Sequence, residues 1–181
     1  VSKCAIQAKG VKALSKLIYA NALTSINCLA NKFGDEGLAT LLKAIEGTSV
    51  RSLCGLTEGQ TTADFSGQNL GPIDCKIISA EFEFRGFIAV LTRVSVLSNP
   101  IGADGADALI KVFNQNTNLR TLLGIEEGVT ELNLSNKKVD PGQAKILAAE
   151  LKASRAVAVL ASLTLNENPI GGLDRWGKGK E

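Results

Sequence analysis

The sequence predicts an α/β fold built of repeats, in which short strands alternate with helices. Three observations predict it. Two stretches of the chain repeat each other at an offset of 69 residues. Short segments with aliphatic residues at i, i+3 and i+5 alternate with segments of helical period. Each complete short segment also runs into an Asn that is followed by Gly three positions later.

The repeat is read most directly by laying Leu91, Val94, Val96, Asn99, Pro100, Ile101 and Gly102 on Leu160, Leu163, Leu165, Asn168, Pro169, Ile170 and Gly171. The same offset carries Arg51, Leu53 and Gly55 onto Arg120, Leu122 and Gly124, and Lys76, Ile77, Ala80 and Glu81 onto Lys145, Ile146, Ala149 and Glu150. A partial copy lies upstream, with Leu23, Ile26, Cys28, Asn31 and Gly34 in the same slots. A repeat of this kind sets the fold before any single element is considered.

In chain order, Val11–Ala20 has a helical period, and a strand starts at Leu23. Asp35–Ile45 places Leu38, Leu41, Leu42 and Ile45 on one helical face. Val50 opens an abbreviated strand, because the Gly-rich stretch up to Gln60 has room for a turn but not a helix. The next strand is expected at Thr62–Phe65, the next helix at Pro72–Phe84, and a further strand from Leu91. Asp104 is the expected N-cap of a helix reaching Phe113. Leu119 then opens a second abbreviated strand, followed by a strand at Thr130–Leu134. Asp140 at N-cap and Pro141 at N1 start the last helix, which runs to Leu151, and a strand from Leu160 follows. The unit of repetition is therefore a 69-residue module containing one ordinary repeat, one abbreviated strand and one longer repeat.

The inner pattern, L-x-x-L-x-L-x-x-N-x-I-G, resembles the leucine-rich repeat family over about residues 10–172. Strand starts at Leu23 and Val50 are 27 residues apart, and those at Leu91 and Leu119 are 28 apart. These lengths suit the helix-bearing, ribonuclease-inhibitor-like subclass, similar to the repeat arrays of nucleotide-binding immune receptors. The resemblance implies a right-handed solenoid, curved into a horseshoe, with a parallel sheet on its inner face, helices outside, and aliphatic strand positions pointing into the solenoid. It also implies that Asn31, Asn99 and Asn168 are structural, each bonding the backbone of the turn that leaves its strand. The activity implied is a non-catalytic protein–protein interaction scaffold. A GTPase-regulating protein of the Ran-activator type, or a fragment of a larger repeat protein without discrete activity, are the alternatives.

Composition agrees with a non-enzyme. The chain contains no His, so no Ser-His-Asp or Cys-His relay and no imidazole metal site can be built. We expect no cofactor and no metal. With 20 basic and 18 acidic residues the net charge is +2, which argues against nucleic acid as partner. Cys4, Cys28, Cys54 and Cys75 form no CxxC pair. Cys28 takes the core slot of Val96 and Leu165, so buried thiols are expected. The sequence shows no signal peptide and no membrane-length apolar run, and the expected location is the cytoplasm.

The exposed inner face is where a protein partner would bind. Its expected members include Ser25, Ser52, Thr62, Asp64, Ser95, Thr121 and Ser162, with Arg51, Arg93 and Arg120 as a basic ladder. Glu131 lies on the same face, and Trp176, the single Trp, marks a cationic tail as a second candidate surface. Partner-binding candidates are thus Arg51, Arg93, Arg120, Glu131 and Trp176. Glu126 and Glu127 read as a solvated turn. Gly172–Gly179 matches the first seven P-loop positions but has Gly where Ser or Thr is needed, so it is set aside. The Asn133 sequon falls inside an expected strand and is discounted. The chain starts with Val and has no Met, and residues 1–181 read as a single domain with incomplete repeats at both ends. Exposed ends of that kind offer end-to-end self-association as an alternative to fragment status.

Overall fold

A computed structural model describes residues 10, 11, 13, 14, 16, 18, 23–84 and 90–171. The short aliphatic segments form brief parallel strands and the segments of helical period form helices, giving an α/β architecture. In order, these are α1 (Gly34–Ile45), β1 (Thr62–Asp64), α2 (Pro72–Phe84), β2 (Arg93–Ser95), α3 (Gly102–Gln115), β3 (Glu131–Asn133), α4 (Pro141–Ala153) and β4 (Ser162–Thr164). The described positions between 10 and 18 are helical as well, and Val11, Leu14 and Ile18 are buried.

Each helix buries the stripe its spacing dictates. In α1 this is Leu38, Leu41 and Ile45, and in α3 it is Ala106, Leu109, Val112 and Phe113. The aliphatic strand residues Val94 and Val96 meet them in one continuous hydrophobic cluster. α3 packs closely on both α2 and α4, while α1 touches α2 only lightly.

The helix starts differ from one another. Asp140 caps α4 through a reciprocal box: its side chain accepts from Gln143 N at 2.7 Å, and Gln143 Oε1 accepts from Asp140 N at 3.3 Å. Asp104 does not cap α3, contrary to the sequence expectation. That helix begins at Gly102, with Ile101 in the cap position and Asp104 in the first turn. The carboxylate comes instead from the following helix, where Asp140 Oδ2 accepts from Gly102 N at 3.0 Å. Asp74 makes a related link, accepting from Ala30 N at 2.7 Å and Gly71 N at 2.9 Å.

The strands pair in parallel, with Thr62 opposite Arg93 and Glu131 opposite Ser162. Isolated bridges extend β2 to Thr121 and Leu123, and join Ser25 and Asn27 to Ser52 and Cys54. Among the described residues, no ladder bond connects 52–54 to β1 or 121–123 to β3, so the strands fall into separate sheets where the sequence predicts one continuous sheet. The abbreviated segments explain this. A parallel neighbour needs a crossover of about a dozen residues or more, and the turns after Cys54 and Leu123 are too short to supply one.

The repeat asparagines tie successive turns together. Asn99 Nδ2 donates to Phe65 O, Val96 O and Leu97 O, and its Oδ1 accepts from Leu70 N at 3.0 Å. Asn168 repeats the set on Leu134, Leu165, Asn166 and Val139. Asn31 donates to Cys28 O and Leu29 O.

Cys28, Cys54 and Cys75 are free thiols inside the core, while Cys4 lies outside the described residues. Burial pushes the Cys28 and Cys75 thiols up to about 12 and raises Cys54 well above its ordinary value, with Glu81 adding to the last shift. The reactive thiolate is therefore scarce at pH 8. We expect none of the three to be carbamidomethylated in native buffer and all three in denaturant, as read by peptide mass spectrometry. Native labelling of any of them would contradict this burial.

Candidate protein-binding face

The alternation of a strand turns Thr62 and Asp64 outward from β1, and the parallel register sets Arg93 and Ser95 beside them. Ser66 and Ser95 share a hydroxyl–hydroxyl bond of 2.6 Å. The Ser66 hydroxyl and amide hold the Asp64 carboxyl below its usual range, and the nearby Arg93 guanidinium contributes in the same direction. Thr62, Asp64, Arg93 and Ser95, together with Leu123 and Glu126, line a shallow depression of about 340 Å³.

Two of the three arginines are engaged within the chain. Arg93 pairs with Glu126 at 3.1 Å, and Arg120 pairs with Glu127. Arg120 also donates to Arg155 O at 2.7 Å. No ion pair of Arg51 or Glu131 is formed among the described residues. The Glu126–Glu127 turn, read from sequence as merely solvated, thus folds back to meet two of the three guanidiniums. With Asp64 and Glu131, the face carries four carboxylates against three guanidiniums, so it is not the basic ladder the strand residues alone suggest. Trp176 lies outside the described residues.

Two residues expected on this face are buried instead. Ser52 and Thr121 are 1% and 0% exposed. Each points inward to a buried carboxylate on the helix that follows. Glu81 accepts from Ser52 Oγ at 2.8 Å, Leu53 N at 2.6 Å and Cys54 N at 2.9 Å. At the offset of 69, Glu150 accepts from Thr121 Oγ1 at 2.9 Å, Leu122 N at 2.5 Å and Leu123 N at 3.0 Å. Where the abbreviated strand has no neighbour to bond its amides, a helix carboxylate bonds them. Desolvation pushes the Glu150 carboxyl up to about 7, against the opposing effect of the backbone and hydroxyl donors around it. Sequence reasoning missed this pair, although a signal was present. In both copies the acid sits four residues after a buried Ile, on the core side of its helix: Ile77 and Glu81, then Ile146 and Glu150.

Arg155 was missed as well. Its Nη1 donates to Phe113 O, Asn116 O and Leu119 O at 2.7–2.8 Å, and its guanidinium lies 4.2 Å from the centre of the Phe113 ring. It closes the C-terminus of α3, where cations are favoured.

Chemically, these carboxylates are occupied as acceptors for backbone and hydroxyl donors. Among the described residues, no group of three His, Cys, Asp or Glu side chains could hold a metal ion. No described helix is long and apolar enough to cross a membrane. No family model matches the sequence, and a search of curated proteins finds no match either.

Proposed function

We propose that this chain is a leucine-rich repeat solenoid of the ribonuclease-inhibitor-like type, and that it acts as a non-catalytic scaffold binding a protein partner through its exposed strand face. The observation that carries the reading is the parallel register of β1 with β2, continued by the bridge from Arg93 to Thr121. It sets outward-facing side chains from segments far apart in sequence into rows. The asparagine bonds to successive turns and the helices outside the strands support the same architecture. A sequence without His, with its buried carboxylates used to bond amides, favours binding over catalysis. Three buried thiols fit a reducing compartment, and we place the protein in the cytoplasm.

The partner expected for this face is one that matches mixed charge and small hydroxyls rather than a purely acidic surface. Affinity capture comparing wild type with an Arg51→Glu/Arg93→Glu variant tests it. Arg120 is left intact because its bond to Arg155 O is structural. Recovery of the partner is expected to fall by about ten-fold, on the scale of a lost charge pair. Equal recovery by a folded variant would dispose of this face as the binding surface.

A further inference from the structure

Because the chain repeats itself, it carries its own control for which charges the fold requires. Arg51 and Glu58 recur as Arg120 and Glu127, and Glu81 recurs as Glu150, so these belong to the repeat. Asp64, Arg93 and Glu126 do not recur. The offset of 69 pairs them with Asn133, Ser162 and Thr57. The parallel bridge that joins Arg93 to Thr121 is made in the upstream copy by Ser25 and Ser52. Neutral residues thus do the same structural work. Asp64 Oδ1 accepts from Ser66 N at 2.9 Å, and Asn133 Oδ1 accepts from Ser135 N at the same 2.9 Å. The turn after β1 therefore needs an oxygen at this position but not its charge.

The three charges that the fold does not require all line the depression between β1, β2 and the segment after Leu123. Arg93 Nη1 donates to Glu126 Oε1 at 3.1 Å, and no described residue donates to Glu126 Oε2. Asp64 is exposed and forms no ion pair among the described residues. Two carboxylates against one guanidinium leave one negative charge uncompensated. Thr62 and Ser95 add hydroxyls to the depression, and the half-buried Leu97 adds an apolar wall. Gly124 lines the remaining side without a side chain, and a Cβ there would fall 2.8 Å from Ser95 Cβ.

We infer that this depression receives an arginine side chain of the partner protein, with its guanidinium bridging Asp64 and Glu126 and its aliphatic stem along Leu97. The inference rests on the strand-face reading above and names the group that face recognises. Charge complementarity selects a cation, because the native guanidinium is already committed to Glu126. A planar guanidinium with five donors can meet two carboxylates at once, whereas an ammonium acts as a compact point charge. The stem of an arginine also covers apolar surface while its head stays among polar groups. Arg93 is a positioning residue here: it fixes the Glu126 carboxylate and does not itself contact the guest.

The test titrates the full, isotope-labelled chain with a blocked peptide, Gly-Ser-Ala-Arg-Ala-Ser-Gly, and follows amide shifts by NMR. Saturating shifts are expected at Ser66, Ser95, Gly124 and Glu126, with a dissociation constant on the order of 1 mM for a single anchor. A peptide with citrulline in place of arginine keeps the shape and loses the charge, and it is expected to bind at least about five-fold more weakly. Asp64→Asn and Glu126→Thr copy the residues that the repeat itself places at 133 and 57, so both variants are expected to fold. Each should weaken the arginine peptide by about five-fold or more and leave the citrulline peptide unchanged. No saturable shift by about 20 mM peptide, equal binding of the citrulline peptide, or unchanged affinity in either variant overturns the inference. Such a failure, together with partner loss in the Arg51→Glu/Arg93→Glu variant, leaves the strand face standing as the binding surface and removes only the arginine site.

Discussion

Replacing Glu150 by Ala is expected to cost about 3–4 kcal/mol of folding stability near pH 6, read by urea denaturation. The side chain is 2% exposed, and it is the acceptor for Leu122 N and for the Thr121 hydroxyl. Its removal strands a buried amide and a buried hydroxyl, each costing about 1–3 kcal/mol. Leu123 N retains Thr121 Oγ1 at 3.0 Å and so suffers less. Glu81→Ala is expected to cost a similar amount, because Leu53 N, Cys54 N and Ser52 Oγ converge on that carboxylate in the same way. Glu150→Gln is the informative comparator. Both amides fall on one oxygen, Oε1, which Gln can supply. The other end would present an N–H to Thr121 Oγ1, which already accepts from Leu123 and Ile125. A cost of about 1 kcal/mol follows.

Glu150 also makes stability depend on pH. Its carboxyl is raised from 4.5 to about 7 in the folded chain, chiefly by burial. The folded protein therefore binds this proton more tightly than the unfolded chain does. The resulting stabilisation is complete below pH 4.5 and is lost as pH rises through 7. Its upper bound is about 3 kcal/mol, from 1.36 kcal/mol per unit. Wild type should lose stability between pH 5 and pH 8 relative to Glu150→Gln. Parallel stability profiles for the two proteins would show that Glu150 titrates at its ordinary value.

What the sequence made legible follows from how regular each region is. Asp140 with Pro141 announced a capped helix, and the recurring Asn at 99 and 168 announced the bonds that tie the turns, because those signals depend only on local spacing. The inward turn of Ser52 and Thr121 was not legible, since small polar residues between the aliphatic positions of a strand are expected on its exposed face. Asp104 looked like a cap because nothing local reveals that Asp140, 38 residues on, already bonds Gly102 N. The charge balance of the face is hidden in the sequence for a related reason. Its charge is decided by Glu126 and Glu127, which lie in a turn and reach Arg93 and Arg120 only after the chain has folded back.

The two modules also differ at one position in a way that sets how tightly their helices pack. Gly142 lies in the first turn of α4, against the start of α3. A Cβ there would fall 2.7 Å from the Gly102 carbonyl carbon and closer still to its oxygen, and this backbone cannot rotate out of the way. Gly142→Ala must therefore push α4 off α3. That movement stretches Asp140 Oδ2 from Gly102 N and Gln143 Nε2 from Val96 O, now at 3.0 and 2.9 Å. A loss of about 3 kcal/mol is expected from overpacking and the weakened bonds together. The offset of 69 puts Ile73 at the same point of α2, and a side chain of that size fits because α1 touches α2 only lightly. A cavity of about 520 Å³, lined by Leu42, Ile45, Arg51, Leu53 and Ala80 among others, lies at that looser junction. Gly71→Ala is the control, because a Cβ there meets nothing within 4 Å and the residue's φ lies outside the left-handed region. It should leave stability within about 0.5 kcal/mol of wild type or raise it slightly. If Gly142→Ala behaves like Gly71→Ala in thermal or urea unfolding, close approach of α3 and α4 is not what holds the second module together.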